Sequence, residues 1–276
     1  MIGSRVILAA LFLVCFSLGA GLQASPLTLK GSLQQGGLLL GTVEAGSSAY
    51  YRGQLLPITA NGQFLLGLSR DAPSGIELRV VDPAGMQIVQ TFAVAKREYR
   101  IQRVNGVPSK TVTPAEADLA RIRNDSAMVK SARKEITTRV DFLDGFQLPL
   151  NGPVTGVYGS QRFYNGVPKS PHYGVDYAAP TGTEVLAPAA GVVRLAHRDL
   201  FYSGGTLIVD HGHGLSSSFL HLSDILVAEG TQVRRGQPIA KVGATGRATG
   251  SHLDWRMNWH KERVDPQLVL ETLPVQ

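Results

Sequence analysis

Apolar residues in this chain fall in short runs or alternate with polar ones, and both patterns indicate β-strands. In Ile76-Glu77-Leu78-Arg79-Val80 the charged side chains alternate with apolar ones, as expected for a strand with one wet face. From about residue 142 onward, apolar runs such as Thr206-Leu207-Ile208-Val209 are separated by glycine or proline roughly every ten residues. The 31 glycines fit the many tight turns of such a fold. We therefore expect a mainly β protein.

Residues 25–105 are predicted to form a small N-terminal β-sandwich domain. Asn61-Gly62 separates the apolar residues 55–58 from the apolar residues 64–66 and is a strong hairpin signal. This region contains no histidine and no clustered pair of acids. Its role is therefore binding, positioning or covering, and the sequence does not choose among the three.

Residues 106–141 are predicted to form a helical linker. Thr113, Pro114 and Glu116 provide an N-cap, a proline at the first helical position and a capping-box glutamate. Apolar residues then recur at helical spacing, at Leu119, Ile122, Val129, Ala132 and Ile136. An amphipathic connector that packs on one side is enough to explain this pattern.

Residues 1–24 read as an export signal. Arg5 supplies the positive start, residues 6–18 are apolar and uncharged, and Leu22-Gln23-Ala24 resembles a cleavage site. The alternative is an uncleaved membrane anchor, although the apolar run is short for a membrane span. We expect an exported protein, located in the periplasm or outside the cell.

Export would remove the only cysteine, Cys15. A mature chain without cysteine excludes thiolate zinc ligands, disulfides and a cysteine nucleophile. The formal net charge is +6, but the basic residues are scattered and no basic block is interleaved with aromatic residues. We therefore expect no nucleic-acid partner.

The chemistry of the chain is concentrated in its C-terminal half, which holds all seven histidines. His172 and Asp176 are four residues apart around Gly174, a spacing that suits a loop or a bent strand. His252 and Asp254 are two residues apart, so on a strand they face the same way. A hydrolytic metal site needs about three protein ligands and an open position, and these two pairs, with His221 between them, provide that inventory.

Several motifs of this half follow one another in a characteristic order. They are Tyr158-Gly159-Ser160-Gln161-Arg162, His172-Tyr173-Gly174-Val175-Asp176, Val209-Asp210-His211-Gly212, His221-Leu222-Ser223 and Thr249-Gly250-Ser251-His252-Leu253. In these motifs, residues 156–270 resemble the lysostaphin-type zinc endopeptidases, also called LytM-like domains, which cut peptide crosslinks in bacterial peptidoglycan. The resemblance implies that residues 142–276 form a LytM-like metallopeptidase domain, an antiparallel β-sandwich or barrel.

The resemblance also implies roles for single residues. His172 and Asp176 would bind Zn²⁺, together with Asp254 at a position where the family has the second histidine of a His-x-His motif. His221 and His252 would be catalytic, polarising the attacking water and stabilising the transition state. Arg162 would lie beside the groove as a substrate or structural contact. Apart from the resemblance, Tyr173 is a candidate oxyanion or substrate contact.

Asp254 is the departure from the family pattern. An aspartate oxygen is an acceptable zinc ligand, but the ligand set would then carry two negative charges instead of one. A more electron-rich zinc is a weaker Lewis acid, so its water would have a higher pKa. The site could also take another divalent metal or have lost its metal.

These observations predict an exported zinc-dependent endopeptidase that hydrolyses peptide crosslinks of peptidoglycan. The alternative is a catalytically degenerate LytM-like regulator that binds and activates another cell-wall hydrolase. The presence of His172, Asp176, His221 and His252 favours the enzyme, whereas Asp254 favours the regulator. A wall-binding scaffold, with the β-sandwich as its functional part, is a third hypothesis.

Overall fold

The computed structural model describes residues 27–107 and 109–275. Within those ranges, no helix has the length and apolar character that a membrane crossing requires. The signal peptide predicted for residues 1–24, with Arg5 and Cys15, lies outside the described residues and stays a prediction.

The fold is mainly β, as the sequence predicts. The first eight strands are β1 (Leu27–Lys30), β2 (Leu38–Val43), β3 (Ser48–Tyr51), β4 (Gln54–Leu55), β5 (Gln63–Gly67), β6 (Gly75–Val81), β7 (Gln87–Ala93) and β8 (Ile101–Val104). They build one antiparallel sheet in the order β1-β2-β5 and another in the order β4-β3-β6-β7, while β8 joins a different sheet. On β6, Ile76, Leu78 and Val80 are buried and Glu77 is exposed, as the alternation predicts.

The hairpin predicted around Asn61-Gly62 is wrong. Gly62 does adopt a positive φ of 81°, and its N–H donates to the carbonyl of Thr59 at 2.9 Å. However, β4 pairs with β3 whereas β5 pairs with β2, so the two flanking segments belong to different sheets. Pro57 contributes to this outcome, because it has no N–H to donate to a continuing ladder.

The connector contains α1 (Ser109–Val112) and α2 (Glu116–Ser131), followed by a 3-10 helix at Asp141–Asp144. The predicted cap at Thr113 is wrong, because α2 begins after Ala115, which has an extended backbone and no side-chain cap. Carboxylates instead fill the first turn, at Glu116 and Asp118, where they favour the helix dipole. Ile136 lies beyond the end of the helix.

The second half of the chain supplies the remaining strands and the last helix. They are β9 (Val154–Gly156), β10 (Gln161–Tyr164), β11 (Val167–Pro168), β12 (Val175–Ala178), β13 (Glu184–Leu186), β14 (Gly191–Leu200), β15 (Gly204–Gly212), β16 (Leu215–Leu222), β17 (Asp224–Ile225), β18 (Gln232–Val233), β19 (Pro238–Lys241), β20 (His252–Trp259), β21 (Glu262–Val264) and α3 (Pro266–Thr272). An eight-stranded sheet runs β18-β14-β15-β16-β20-β12-β9, with β21 on β20. A smaller sheet has the order β13-β19-β17.

Helix α2 lies on the large sheet. Its residues Met128 and Val129 pack against an apolar cluster formed by Leu195, Leu200 and Ile208 of β14 and β15. The helix therefore covers β14 and β15 on one side. The neighbouring strands β16, β20 and β12 carry His221, His252, Asp254 and Asp176 of the predicted site.

The two halves of the chain are joined by more than the connector. Strand β8 pairs in parallel with β10, so Ile101–Val104 belongs to a sheet with Gln161–Tyr164. One continuous apolar core includes Leu39 and Phe64 of the first half and Trp255 and Met257 of the second. The site described next therefore rests on a framework to which both halves contribute.

Candidate metal centre

Two neighbouring strands bring the predicted ligands together. Asp176 on β12 is the direct partner of Asp254 on β20, so both carboxylates lie on one face of the sheet. His172 precedes β12 and is buried, as are both aspartates. Gly174 makes the close approach of this segment feasible, because a Cβ there would lie 2.4 Å from Oδ1 of Asp254.

The ligand atoms of these three residues converge. His172 Nε2 lies 3.0 Å from Oδ1 of Asp176 and 3.4 Å from Oδ1 of Asp254. One atom from each of the three residues falls within 4.8 Å of the others. Donors bound to one zinc at about 2.1 Å can be at most about 4.2 Å apart, and the two separations from His172 satisfy that limit.

The convergence calls for a cation. Nδ1 of His172 faces the carbonyl of Val157 at 3.4 Å, so Nδ1 carries the proton in the neutral ring and Nε2 presents a lone pair. Nε2 of His172 and Oδ1 of Asp176 are both buried, and neither makes a hydrogen bond. Lone pairs of three buried groups thus face one another, which is unfavourable unless a metal ion or a proton lies between them. The donor set of one nitrogen and two carboxylates suits Zn²⁺, so the residues fit the metal.

Two arginines neutralise the carboxylates from their outer sides. Arg162 Nη2 donates to Oδ2 of Asp176. Arg256 forms a bidentate ion pair with Asp254, in which Nε donates to Oδ1 at 3.0 Å and Nη2 donates to Oδ2. Arg256 is not among the residues predicted for the site, although the alternation along β20 places it on the same face as His252 and Asp254.

These contacts set the pKa values in the cluster. Burial by itself would raise the pKa of Asp254, but Arg256 and His172 hold it well below its usual range. Burial likewise opposes ionisation of Asp176, yet His172 and Arg162 lower its pKa. Burial would lower the pKa of His172, whereas Asp254 and Asp176 together raise it. Both carboxylates are therefore ionised, and a proton on Nε2 of His172 is the competitor of a metal ion.

His221 is held in a strained position beside the cluster. Its φ of 64° lies in the left-handed region, which is unfavourable for a residue with a Cβ and is frequent at functional sites. Its Nδ1 donates to the carbonyl of Thr245 at 2.8 Å, so Nε2 is free to accept a proton, and it lies 4.0 Å from Oδ2 of Asp254. Burial lowers the pKa of His221 to about 4. The ring is therefore neutral near pH 7.

His252 stands next to His221, with their ring centroids 4.8 Å apart. Nδ1 of His252 donates to the carbonyl of Gly250 at 2.9 Å, which leaves its Nε2 without that proton in the neutral ring. The residue is half-buried, in contrast to buried His221. The structure thus brings five predicted residues together, with His172 and the aspartates as one group and the two other histidines beside it.

The two predicted substrate contacts have different surroundings. Arg162 lines the groove, but its guanidinium is also engaged by Gln102 at 3.1 Å and by the hydroxyl of Tyr164 at 2.9 Å. Tyr173 packs edge to face on Tyr158 and lies under the guanidinium of Arg263. Tyr173 is not among the residues that line the groove.

A groove of about 1540 Å³ runs over the site. Its floor is the face of β16 and β20 that carries Ser218, Leu220 and Asp254. Helix α2 and the segment that follows it form one wall, with Val129 and Arg133. Residues from the turn between β3 and β4 in the first half of the chain also line it.

Comparison with known proteins agrees with this geometry. Residues 170–266 match the model of peptidase family M23. A solved structure described as a peptidase M23 from Pseudomonas aeruginosa is 30% identical, and the match covers 87% of this chain and 95% of that one, with a TM-score of 0.66. The similarity thus includes the first half of the chain as well as the site.

Curated relatives match over shorter stretches. Peptidoglycan DD-endopeptidase ShyB of Vibrio cholerae is 40% identical over 137 residues, which are 50% of this chain and 28% of that protein. ShyA of the same organism, also named a peptidoglycan DD-endopeptidase, is 43% identical over 88 residues, or 32% of this chain and 20% of that protein. The chain thus matches less than a third of the length of either relative.

Proposed function

Since the chain belongs to peptidase family M23, we propose that it is an exported, zinc-dependent endopeptidase that hydrolyses peptide crosslinks of bacterial peptidoglycan. The observation that carries the proposal is the convergence of His172, Asp176 and Asp254, with two histidines beside them in an open groove. Relatives named as peptidoglycan DD-endopeptidases indicate the class of substrate.

The chain's own residues supply binding and proton transfer. His172, Asp176 and Asp254 would hold Zn²⁺, which when bound polarises a carbonyl and acidifies a water. Nε2 of neutral His221 can take a proton from the attacking water, because Thr245 fixes the opposite tautomer at Nδ1. His221 can then return that proton to the leaving amine, and His252, at the rim, can donate from Nε2 to the developing oxyanion when its ring is in the imidazolium form.

The test combines digestion with metal analysis. Purified protein lacking residues 1–24 is loaded with zinc, and the release of muropeptides from peptidoglycan sacculi is followed by chromatography. We expect His221→Ala and His252→Ala each to lower hydrolysis by about 10²–10⁴-fold. Both should keep their zinc, because neither residue belongs to the converging group.

His197→Ala is the matched control, since His197 is a half-buried histidine that does not line the groove. It should leave hydrolysis unchanged. Loss of less than about tenfold at both His221 and His252 would refute the catalytic roles. Sacculi left intact by the zinc-loaded parent would refute the enzyme.

One observation favours a second candidate, the non-catalytic regulator of another wall hydrolase. Both carboxylates of the site already form an ion pair, Asp176 with Arg162 and Asp254 with Arg256. If these arginines take the place of a metal, the purified protein should contain no zinc after dialysis in zinc-supplemented buffer and should release no muropeptides. Stimulation of a second hydrolase by that metal-free protein would then establish the regulator.

A further inference from the structure

The groove as a whole is strongly cationic. Nine lysine and arginine residues line the groove among the described residues, against four acids. Two of those acids, Asp176 and Asp254, are already paired with arginine. The rest of the groove therefore attracts anions.

Two of the arginines are deep in the groove without an acidic partner. Among the described residues, neither Arg133 nor Arg263 forms an ion pair with a carboxylate. Arg133 Nη2 donates to the hydroxyl of Ser218 at 2.6 Å, and its Nε is buried without a hydrogen-bond partner. The guanidinium of Arg263 stacks 5.4 Å from the ring centre of Tyr173.

Such unpaired charges are costly. Burial, together with neighbouring Arg263 and Arg256, lowers the pKa of Arg133 to about 9. Burial and Arg256 likewise lower the pKa of Arg263 to about 10. Guanidinium groups that are close together and partly buried repel one another, and a bound anion would offset this repulsion.

The cross-strand register places these groups on one strip. Ser218 on β16 pairs with Arg256 on β20, and Asn258, two residues further along β20, pairs with Arg263 on β21. Asn258 is buried, and its Nδ2 donates to the carbonyl of Glu262 at 3.5 Å. We call this strip, with Arg133 above it, the arginine pocket: Arg133, Ser218, Arg256, Asn258 and Arg263.

The pocket lies at a defined distance from the metal ligands. Ser218, which holds Arg133, is two residues from Leu220 along β16, and Leu220 is the partner of Asp254. This spacing corresponds to about 7 Å at about 3.3 Å per strand residue. An extended peptide covers that distance with about two residues. A ligand bound at the metal centre would therefore present its second neighbouring residue to the pocket.

We propose that the arginine pocket binds a carboxylate of the substrate peptide, two residues from the bond that is cut. This inference rests on the proposed peptidase function. Carboxylate is the anion that peptides themselves carry, and guanidinium groups bind it with paired, charge-assisted hydrogen bonds. Arg133 and Arg263 would each gain the counter-ion that they lack in the free protein.

The test uses two labelled tetrapeptides of D-alanine that differ only at the C-terminus, one ending in a free carboxylate and the other in a carboxamide. Binding to the zinc-loaded protein is measured by fluorescence anisotropy. We expect the carboxylate peptide to bind about tenfold more tightly, as is typical of a hydrogen-bonded charge. Equal binding of the two peptides by the parent protein would overturn the proposal, whatever the variants do.

Variants locate the preference. Arg133→Gln and Arg263→Gln should each reduce the preference for carboxylate to about threefold or less, with thermal unfolding confirming that they fold. Lys261→Gln is the matched control, because Lys261 is an exposed cation that lines the same groove, and it should keep the preference. A full preference in folded Arg133→Gln and Arg263→Gln would place the carboxylate elsewhere and refute the pocket.

Failure of the pocket and failure of the enzyme give different results. If sacculi are digested but the two peptides bind equally, the proposed peptidase function is supported and the carboxylate-binding role of the arginine pocket is refuted. If the carboxylate preference is found and depends on both arginines but no bond is cut, the pocket is a binding site of a non-catalytic protein and the peptidase is refuted.

Discussion

At the scale of single residues, the ion pair between Asp254 and Arg256 sets the charge of the candidate metal centre. An aspartate alone would add a negative charge to the ligand set and weaken zinc as a Lewis acid. Arg256 offsets that charge through two hydrogen bonds while leaving Oδ1 within 3.4 Å of Nε2 of His172. The pair as a whole is neutral, as a histidine ligand would be. Arg256 should therefore reduce the loss of zinc Lewis acidity that Asp254 would otherwise cause.

This pairing predicts the outcome of Asp254→His. The substitution supplies a histidine ligand, but it leaves the partly buried Arg256 guanidinium without its acid. Removing one partner of a buried pair costs about 3–5 kcal/mol, and because the Arg256 side chain is 24% exposed, we expect about 3 kcal/mol. Urea denaturation measures this loss, and zinc content should fall in parallel.

The double variant Asp254→His, Arg256→Met is the control for that argument. Met keeps much of the apolar stem and removes the cation, so the double variant should recover about 1–3 kcal/mol relative to Asp254→His alone. Equal stability of the single and double variants would show that Arg256 does not compensate for Asp254.

The chemical residues were within reach of the sequence, whereas their environment was not. Spacing placed His252 and Asp254 on one face, and the structure brings them into one cluster with His172 and Asp176. The unpaired arginines could not be found in this way. Arg133 reaches Ser218 across 85 positions of the chain, and no local pattern encodes such a contact.

At the scale of elements, the connector helix α2 is both a linker and a wall of the groove. The residues Met128 and Val129 bind it to β14 and β15 through a small separate cluster. The same helix leads directly into Arg133, which reaches the floor of the groove. Docking of α2 therefore controls both the width of the groove and the position of Arg133.

Val129→Asp should detach this wall. A carboxylate placed against Leu195 and Ile208 is unfavourable, so α2 should open more often and residues 106–141 should be cleaved at least about tenfold faster in limited proteolysis. Ala120→Asp introduces the same residue at an exposed position of α2 and should leave the rate unchanged. Equal protease resistance of both variants would mean that the cluster does not hold the helix.

Element boundaries show where local patterns fail. The helix was predictable from its apolar spacing, but its start moved from Thr113 to the residues after Ala115, where Glu116 and Asp118 fill the first turn. Asn61-Gly62 forms a turn, yet the strands on either side pair with other partners. Turn chemistry is local, whereas the choice of strand partner depends on the whole sheet.

At the scale of the whole molecule, the first half of the chain is part of the framework of the site. Arg97 pairs with Asp265 at 2.9 Å, and Tyr51 lies against Trp259 with ring centres 6.5 Å apart. Gly67 of β5 faces the Cβ atom of Trp259. The sequence predicted two domains of strands but could not predict this contact, because nothing in either half marks the surface on which the other packs.

The shared core predicts that both halves unfold together. A Cβ added at Gly67 would lie 2.8 Å from Cβ of Trp259 and 3.0 Å from Val264, so Gly67→Ala should destabilise the protein by about 1–3 kcal/mol through overpacking. The chain's two tryptophans, Trp255 and Trp259, lie in the second half. Gly67→Ala lies in the first half, yet it should lower the melting temperature measured by tryptophan fluorescence. The fall should equal the one measured by far-ultraviolet circular dichroism.

Gly75→Ala is the control for this experiment, because Gly75 also lies in the first half, is exposed and would bring its Cβ no closer than 3.8 Å to another atom. It should change neither signal by more than about 0.5 kcal/mol. If Gly67→Ala shifted the circular dichroism transition but left the tryptophan transition in place, the halves would be independent domains. The groove would then have a movable wall. Coincident transitions instead mean that the residues near the β3–β4 turn are held in place as part of the groove lining, so the first half contributes to the shape of the groove.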